Sequence, residues 1–144
     1  RRVILTPLPE TDADATDRVR DLWEAAGARV TDMDPVHHDA ILAATSHLPH
    51  VLAYALVDSL SRLDDSDELF EYAAGGFRDF TRIASSDPVM WRDICLSNAD
   101  AILAMMQNYQ QQIDELKHCI EQGDGESILA LFKAAKDARD NFCM

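Results

Sequence analysis

Two short stretches of this 144-residue chain combine side chains that could bind an anion or transfer a proton. In the first, Asp39, Ser46 and His50 recur at spacings that place them on one face of a helix. Pro49 has no backbone N–H, so it should free the carbonyl of Thr45 and bend this helix. The residues alone leave two interpretations open: a binding site, or a serine and a histidine that satisfy each other or the freed backbone.

The second stretch runs from position 75 to position 82 and pairs glycines with arginines. Gly75 and Gly76 are adjacent, and glycines can adopt positive φ angles or let the backbone approach a ligand closely. Arg78 and Arg82 are four residues apart and could form a fork for a carboxylate, unless Arg78 pairs with a neighbouring carboxylate on the surface. Trp91 could cover such a pocket, although the core is the usual place for a tryptophan.

The histidines and cysteines do not form a recognisable metal motif. Histidines at positions 37, 38, 47 and 50 lie close together in the sequence, but no fourth ligand completes the tetrahedron that zinc requires. Cys95, Cys119 and Cys143 are odd in number, widely spaced and without a CxxC motif. We therefore expect no metal site and no disulfide framework, but reduced thiols typical of a cytoplasmic protein.

Composition and missing motifs exclude several functional classes. The chain has 26 acidic and 13 basic residues and a net charge of −13, so it should repel phosphate backbones and have no nucleic-acid partner. Its uninterrupted apolar runs are short compared with the roughly 20 residues of a membrane helix, so no membrane partner is expected. It contains no GxGxxG, GxxxxGK[ST] or GxSxG motif, and therefore predicts no dinucleotide, triphosphate or hydrolase site of its own.

The elements that must position these residues divide into two groups. Residues 1–34 predict a strand, a helix and a strand, which bury too little apolar surface to form a domain alone. We interpret them as the remnant of an α/β domain in a chain cut from a longer parent, and residues 35–144 as a helical domain. The predicted elements are strands at 3–5 and 28–33, helices at 12–26, 35–60, 68–73 and from 88 to shortly before Gly123, a last helix from about 124, and an irregular segment at 77–86. Gly75 and Gly76 are expected to end the helix at 68–73.

The predicted helix that opens at Pro88 is the longest element, at about 33 residues or about 50 Å. A small domain is only roughly 30 Å across, so this helix needs a further surface to pack against. A homodimer through the long helices would supply that surface. The alternative is a helix that bends or breaks within a monomer.

At these residues the sequence resembles the prephenate dehydrogenase family, which includes arogenate and cyclohexadienyl dehydrogenases. The resemblance rests on SHLPH at 46–50 and GGFRDFTRIASSDP at 75–88, followed by Trp91, and extends in order from about Val3 to Phe142. It implies a mainly α fold: a helical dimerisation domain like the C-terminal domain of 6-phosphogluconate dehydrogenase, preceded by the end of a Rossmann domain that binds NAD or NADP.

The resemblance also implies a reaction. Prephenate is oxidatively decarboxylated to 4-hydroxyphenylpyruvate in tyrosine biosynthesis: hydride leaves ring carbon 4 for the nicotinamide, and the ring carboxylate departs as CO2. The family's general base belongs to the Rossmann part and has no counterpart in this chain. We therefore expect no catalytic and no cofactor-binding residue here, and no activity from the chain alone.

Individual residues take their roles from the same resemblance. Arg82 corresponds to the arginine that binds the substrate carboxylate. His50 corresponds to the histidine that contacts the substrate side chain and helps to sense tyrosine as a feedback inhibitor. Ser46, the backbone of Gly75 and Trp91 line the same pocket for prephenate or arogenate. The competing hypothesis is a non-catalytic helical module for tyrosine sensing or assembly.

Overall fold

The computed structural model of the protein describes residues 1–142 and is 77% helical, which confirms the predicted mainly α fold. Cys143, one of the three cysteines considered above, lies outside the described residues. The backbone forms two compact units, Arg1–Leu103 and the residues from Ala104 onward. The predicted division between an α/β remnant and a helical domain at residue 34 stays a prediction.

The N-terminal elements are a strand, a helix and a strand, as predicted. Strand β1 (Arg2–Leu5) and strand β2 (Arg29–Asp32) pair in parallel and are joined by helix α1 (Ala13–Ala25). Asp12 caps α1 by accepting a hydrogen bond of 2.9 Å from the Ala15 N–H, and Gly27 follows its end with a φ of 81°. Short polar and glycine signals at the ends of α1 therefore fix its bounds.

A continuous helical run follows, with one irregular turn. Helix α2 (Pro35–Leu42) leads into a π-helical turn (Ala43–His47) and then into helix α3 (Leu48–Ser61). In the π-helical turn the Leu48 N–H donates to the carbonyl of Ala43, five residues back. The turn places Pro49 in the first turn of α3, where its missing N–H costs little. The helix thus has one widened turn immediately before Pro49. A bend at this position stays a prediction.

Among the described residues, the run Pro35–Ser61 is the one helix that is both long and apolar. It has a mean hydropathy of 1.5 over its most apolar window, so by length and composition alone it could cross a membrane. Polar residues interrupt this window, which is why its uninterrupted apolar runs are short. Core helices of soluble proteins meet the same criterion, so the observation is weak evidence for a membrane span.

The segment after α3 corrects the prediction of an irregular stretch. Helix α4 (Ser66–Glu71) is followed by helix α5 (Gly75–Thr81) and directly by a 3-10 helix (Arg82–Ser85), so residues 77–85 are helical. Gly75 and Gly76 begin α5 instead of ending α4, and neither has a positive φ angle. Both lie in the first turn of α5, outside the helix interior where the conformational freedom of glycine is most costly.

The predicted 33-residue helix is wrong. Asn98, with φ −117° and ψ 37°, separates helix α6 (Pro88–Ser97) from helix α7 (Ala99–Gln122). A break in this helix was the alternative to one long helix in the sequence analysis. Helix α7 has 24 residues and a length of about 36 Å. Gly123, with a φ of 66°, separates it from helix α8 (Gly125–Phe142), which begins as predicted.

The buried residues of the first unit come from the π-helical turn, α3, α6 and the start of α7. Ala43, Ala53, Trp91 and Ile102 are its buried apolar residues, and His47 is its buried polar residue. Within residues 1–142 no large side chain is fully buried. Many large apolar side chains are instead exposed, so residues 1–142 leave much of their apolar surface uncovered.

Candidate functional site: a histidine–tryptophan stack

The centre of the candidate site is a stack between two rings from different helices. His50 lies in the first turn of α3 and Trp91 in the first turn of α6, with ring centroids 3.7 Å apart and planes inclined by 19°. Asp87 caps α6 by accepting hydrogen bonds from the N–H groups of Val89 (2.7 Å) and Met90 (3.1 Å). The cap therefore fixes the turn that carries Trp91.

The hydrogen bonding of His50 decides which of its nitrogens is available. Its Nδ1 lies 2.8 Å from the carbonyl oxygen of Ser46. A carbonyl only accepts, so Nδ1 carries a proton and donates it. The ring thus satisfies the local backbone, as one interpretation of the sequence proposed, but at Ser46 instead of Thr45. Nε2 remains, and it can accept from a hydroxyl when the ring is neutral or donate to a carboxylate when it is protonated.

A second histidine supports the tryptophan from its edge. The His47 ring is 9% exposed and meets Trp91 at a centroid distance of 6.1 Å and an angle of 76°. Burial lowers the pKa of His47 below its ordinary value, and the negative charge of Asp39 opposes the shift only in part. The Asn98 amide nitrogen lies 3.2 Å from His47 Nδ1. His47 is therefore a neutral, hydrogen-bonded member of the core near neutral pH.

The predicted carboxylate-binding arginine begins an element that packs against α3. Arg82 is the first residue of the 3-10 helix, and the hydroxyl of Tyr54 on α3 donates a 2.6 Å hydrogen bond to the carbonyl of Ser86, just beyond that helix. Tyr54 lies one helical turn after His50. One helix therefore carries the histidine and anchors the segment of the arginine.

The arginines of the predicted fork are both exposed. Within the described part of the chain neither Arg78 nor Arg82 forms an ion pair, so the alternative in which Arg78 pairs with a surface carboxylate is wrong. Both guanidinium groups remain available to an anion. That Arg82 and Gly75 line one pocket with Ser46, His50 and Trp91 stays a prediction.

Trp91 also lines a cavity of about 280 Å³ between α3 and α6. Its indole Nε1 is buried and has no hydrogen-bond partner among residues 1–142. The other predicted site residues do not line this cavity. Its lining consists of Val51, Tyr54, Pro88, Trp91, Arg92 and Cys95.

Comparison with known families identifies the setting of this arrangement. Residues 34–134 match the model of the prephenate dehydrogenase dimerization domain, which is well over half of the chain. The chain belongs to the prephenate dehydrogenase family.

Relatives and a solved structure agree with this assignment. The chain is 42% identical to the prephenate dehydrogenase of Bacillus subtilis (strain 168) over 95% of its length and 37% of that protein. It is also 42% identical to the cyclohexadienyl dehydrogenase of Zymomonas mobilis, over 95% of the chain and 47% of the relative. The crystal structure of A. aeolicus prephenate dehydrogenase in complex with hydroxyphenyl propionate and NAD+ superposes with a TM-score of 0.89 at 39% identity.

The matches cover nearly all of this chain but only part of each matched protein. The A. aeolicus match covers 98% of this chain and 50% of the solved one. The chain thus spans about half the length, or less, of the prephenate dehydrogenases it matches.

Sequence reasoning missed two residues of this candidate site, Tyr54 and Asn98. Tyr54 could have been found from its spacing of four from His50, which places it on the same helical face. Asn98 interrupts an otherwise apolar helical pattern, a weak signal on its own. In the described residues no group of three or more histidine, cysteine or acidic side chains could hold a metal ion.

Proposed function

We propose that this chain is the helical, substrate-binding part of an NAD- or NADP-dependent dehydrogenase that oxidatively decarboxylates prephenate, or the related arogenate, in tyrosine biosynthesis. The observation that carries the proposal is the backbone likeness to a prephenate dehydrogenase whose solved complex holds hydroxyphenyl propionate and NAD+. That ligand joins a phenol ring to a carboxylate. An exposed guanidinium and a stacked pair of aromatic rings are suited to these two features.

Each site residue has a distinct role in this proposal. Arg82 binds the substrate carboxylate through two parallel N–H donors, the geometry in which a guanidinium binds most strongly. His50 offers Nε2 to the polar atoms of the substrate, since its Nδ1 is committed to the Ser46 carbonyl. Trp91 walls the pocket and keeps water from the ring. Ser46 and the backbone of Gly75 complete the lining, and tyrosine would compete for the same pocket.

The cofactor and the general base are assigned to residues outside this chain. NAD or NADP, when bound, accepts the hydride that leaves the substrate ring. The chain has no glycine-rich dinucleotide motif, and its two-stranded sheet alone does not fit such a cofactor. We therefore expect the chain alone to be inactive.

The assembly in this proposal is a homodimer. The matching family model is described as a dimerization domain. Helix α7 exposes apolar side chains that a second copy of the chain would cover, among them Met106, Tyr109, Ile113 and Ile120. A partner helix with the same stripe is self-complementary, as a twofold interface requires.

The substitution Arg82→Ala in the intact protein tests the substrate assignment. Loss of a bidentate, charge-assisted contact of about 2–3 kcal/mol should lower kcat/KM for prephenate by about 30- to 150-fold, chiefly through KM. Arg62→Ala is the matched control, because Arg62 is an exposed arginine whose partner is Asp58 on the surface. If Arg82→Ala and Arg62→Ala both keep the wild-type kcat/KM, the assignment of Arg82 is wrong.

A further inference from the structure

Asn98 connects three parts of the first unit through one side-chain amide. It occupies the break between α6 and α7, where its own N–H donates to the carbonyl of Ile94. Its side-chain nitrogen lies 2.9 Å from the carbonyl oxygen of Asp39 on α2 and 3.2 Å from Nδ1 of His47 in the π-helical turn. These partners are 59 and 51 residues away in the sequence.

The orientation of this amide follows from its partners. The carbonyl of Asp39 can only accept, so the amide group that faces it must be the NH2 and not the oxygen. An amide nitrogen only donates, so its second hydrogen points to His47 Nδ1, which must carry no proton. The neutral His47 ring therefore holds its proton on Nε2. One carbonyl thus fixes the amide, and the amide fixes the tautomer of the histidine.

The fixed ring lies against the centre of the candidate site. His47 meets the edge of Trp91, and Trp91 stacks on His50 at 3.7 Å. A ring that rotated or changed tautomer at His47 would lose its bond to Asn98 and its defined position against the indole. The stack at His50 would then lose its support on one side.

We propose that Asn98 is a positioning residue, which holds His47 as its Nε2–H tautomer and thereby fixes the Trp91–His50 stack for substrate. The break in the helix at Asn98 serves this role because it brings the amide to α2 and to the π-helical turn. The structural part of the proposal stands on the hydrogen bonds, and only its kinetic part rests on the proposed function.

Nitrogen-15 NMR of histidine-labelled intact protein tests the structural part directly. At pH 8 the wild-type His47 signals should be those of the Nε2–H tautomer. In Asn98→Asp a carboxylate of the same shape accepts and no longer donates, so His47 should change to the Nδ1–H form and its pKa should rise. Asn108→Asp, on the exposed surface of α7, should leave the His47 signals unchanged. A wild-type His47 in the Nδ1–H form, or an Asn98→Asp protein that keeps the Nε2–H form, would overturn the proposal.

Kinetics of the intact protein test the functional part. Asn98→Ala should raise KM for prephenate by about three- to tenfold, with kcat within about twofold of wild type, because positioning and not chemistry is lost. Asn108→Ala is the matched control. If the tautomer changes as expected in Asn98→Asp while KM stays at the wild-type value in both Asn98 variants, the positioning role is refuted. If Arg82→Ala also keeps the wild-type kcat/KM for prephenate, the proposed function is wrong. The tautomer assignment of His47 is tested independently, by NMR.

Discussion

Removal of a single oxygen from Tyr54 should measure how firmly α3 holds the segment that begins with Arg82. In Tyr54→Phe the ring stays and the 2.6 Å hydrogen bond to the Ser86 carbonyl is lost. Such a bond contributes about 0.5–1.5 kcal/mol net, and an acceptor left dry costs about 1–3 kcal/mol. Ser86 is half-buried, so water can partly replace the hydroxyl. We therefore expect a loss near the lower end, about 1 kcal/mol in the free energy of unfolding.

Thermal unfolding followed by circular dichroism provides the assay. For a chain of this size about 1 kcal/mol corresponds to a decrease in Tm of about 3–5 °C. Tyr72→Phe is the matched control, because Tyr72 is 76% exposed and its hydroxyl has water as an alternative partner. In the intact protein KM for prephenate should also rise for Tyr54→Phe and not for Tyr72→Phe. If the two variants have the same unfolding midpoint as the wild type, the hydroxyl of Tyr54 does not anchor this segment.

Two further substitutions test the surroundings of the stack. Because burial lowers the pKa of His47 below 6.5, the unfolded chain takes up a proton first as the pH falls. Stability contributed by neutral His47 is thus present above about pH 6.5 and is lost as the pH falls towards the folded pKa. The difference in Tm between pH 7.5 and pH 5.5 should therefore shrink in His47→Gln but not in the exposed control His37→Gln, and equal differences would contradict the assignment. Asp87→Ala should cost about 1 kcal/mol by removing the cap of α6, measured by urea titration, while Asp87→Asn should retain most of the stability.

The parts of the fold that sequence reasoning predicted are those with local causes. Asp12 and Asp34 cap helices through bonds to N–H groups three residues ahead, and such caps depend only on neighbouring residues. Gly27 and Gly123 adopt positive φ angles that other residues rarely adopt, so they mark helix ends wherever the helices lie. The bounds of α1 and the starts of α2 and α8 follow from these signals.

The parts that were predicted wrongly have causes distant in the sequence. The break at Asn98 is stabilised by bonds to Asp39 and His47, more than 50 residues away, and no pattern within α6 or α7 encodes them. The prediction of a helix end at Gly75 and Gly76 rests on the low helix propensity of glycine. Packing of α5 against α3 compensates for their low helix propensity. The same limit applies to the site: spacing placed Ser46 and His50 on one face, but only the fold stacks His50 on Trp91.

A partner surface is still expected on α7, although for a different reason than its length. The sequence predicts a helix of about 50 Å, and a helix of that length would need a second chain to pack against. The break at Asn98 divides it into two shorter helices, so this reason no longer applies. The stronger reason is the pattern within α7, where Tyr109, Ile113, Leu116 and Ile120 recur at helical spacing. Tyr109, Ile113 and Ile120 are 40%, 44% and 62% exposed, so residues 1–142 do not cover the stripe. An apolar face that persists over three turns is stabilising only when something buries it. The periodicity of α7, and not its length, is therefore the physical reason to expect a second copy.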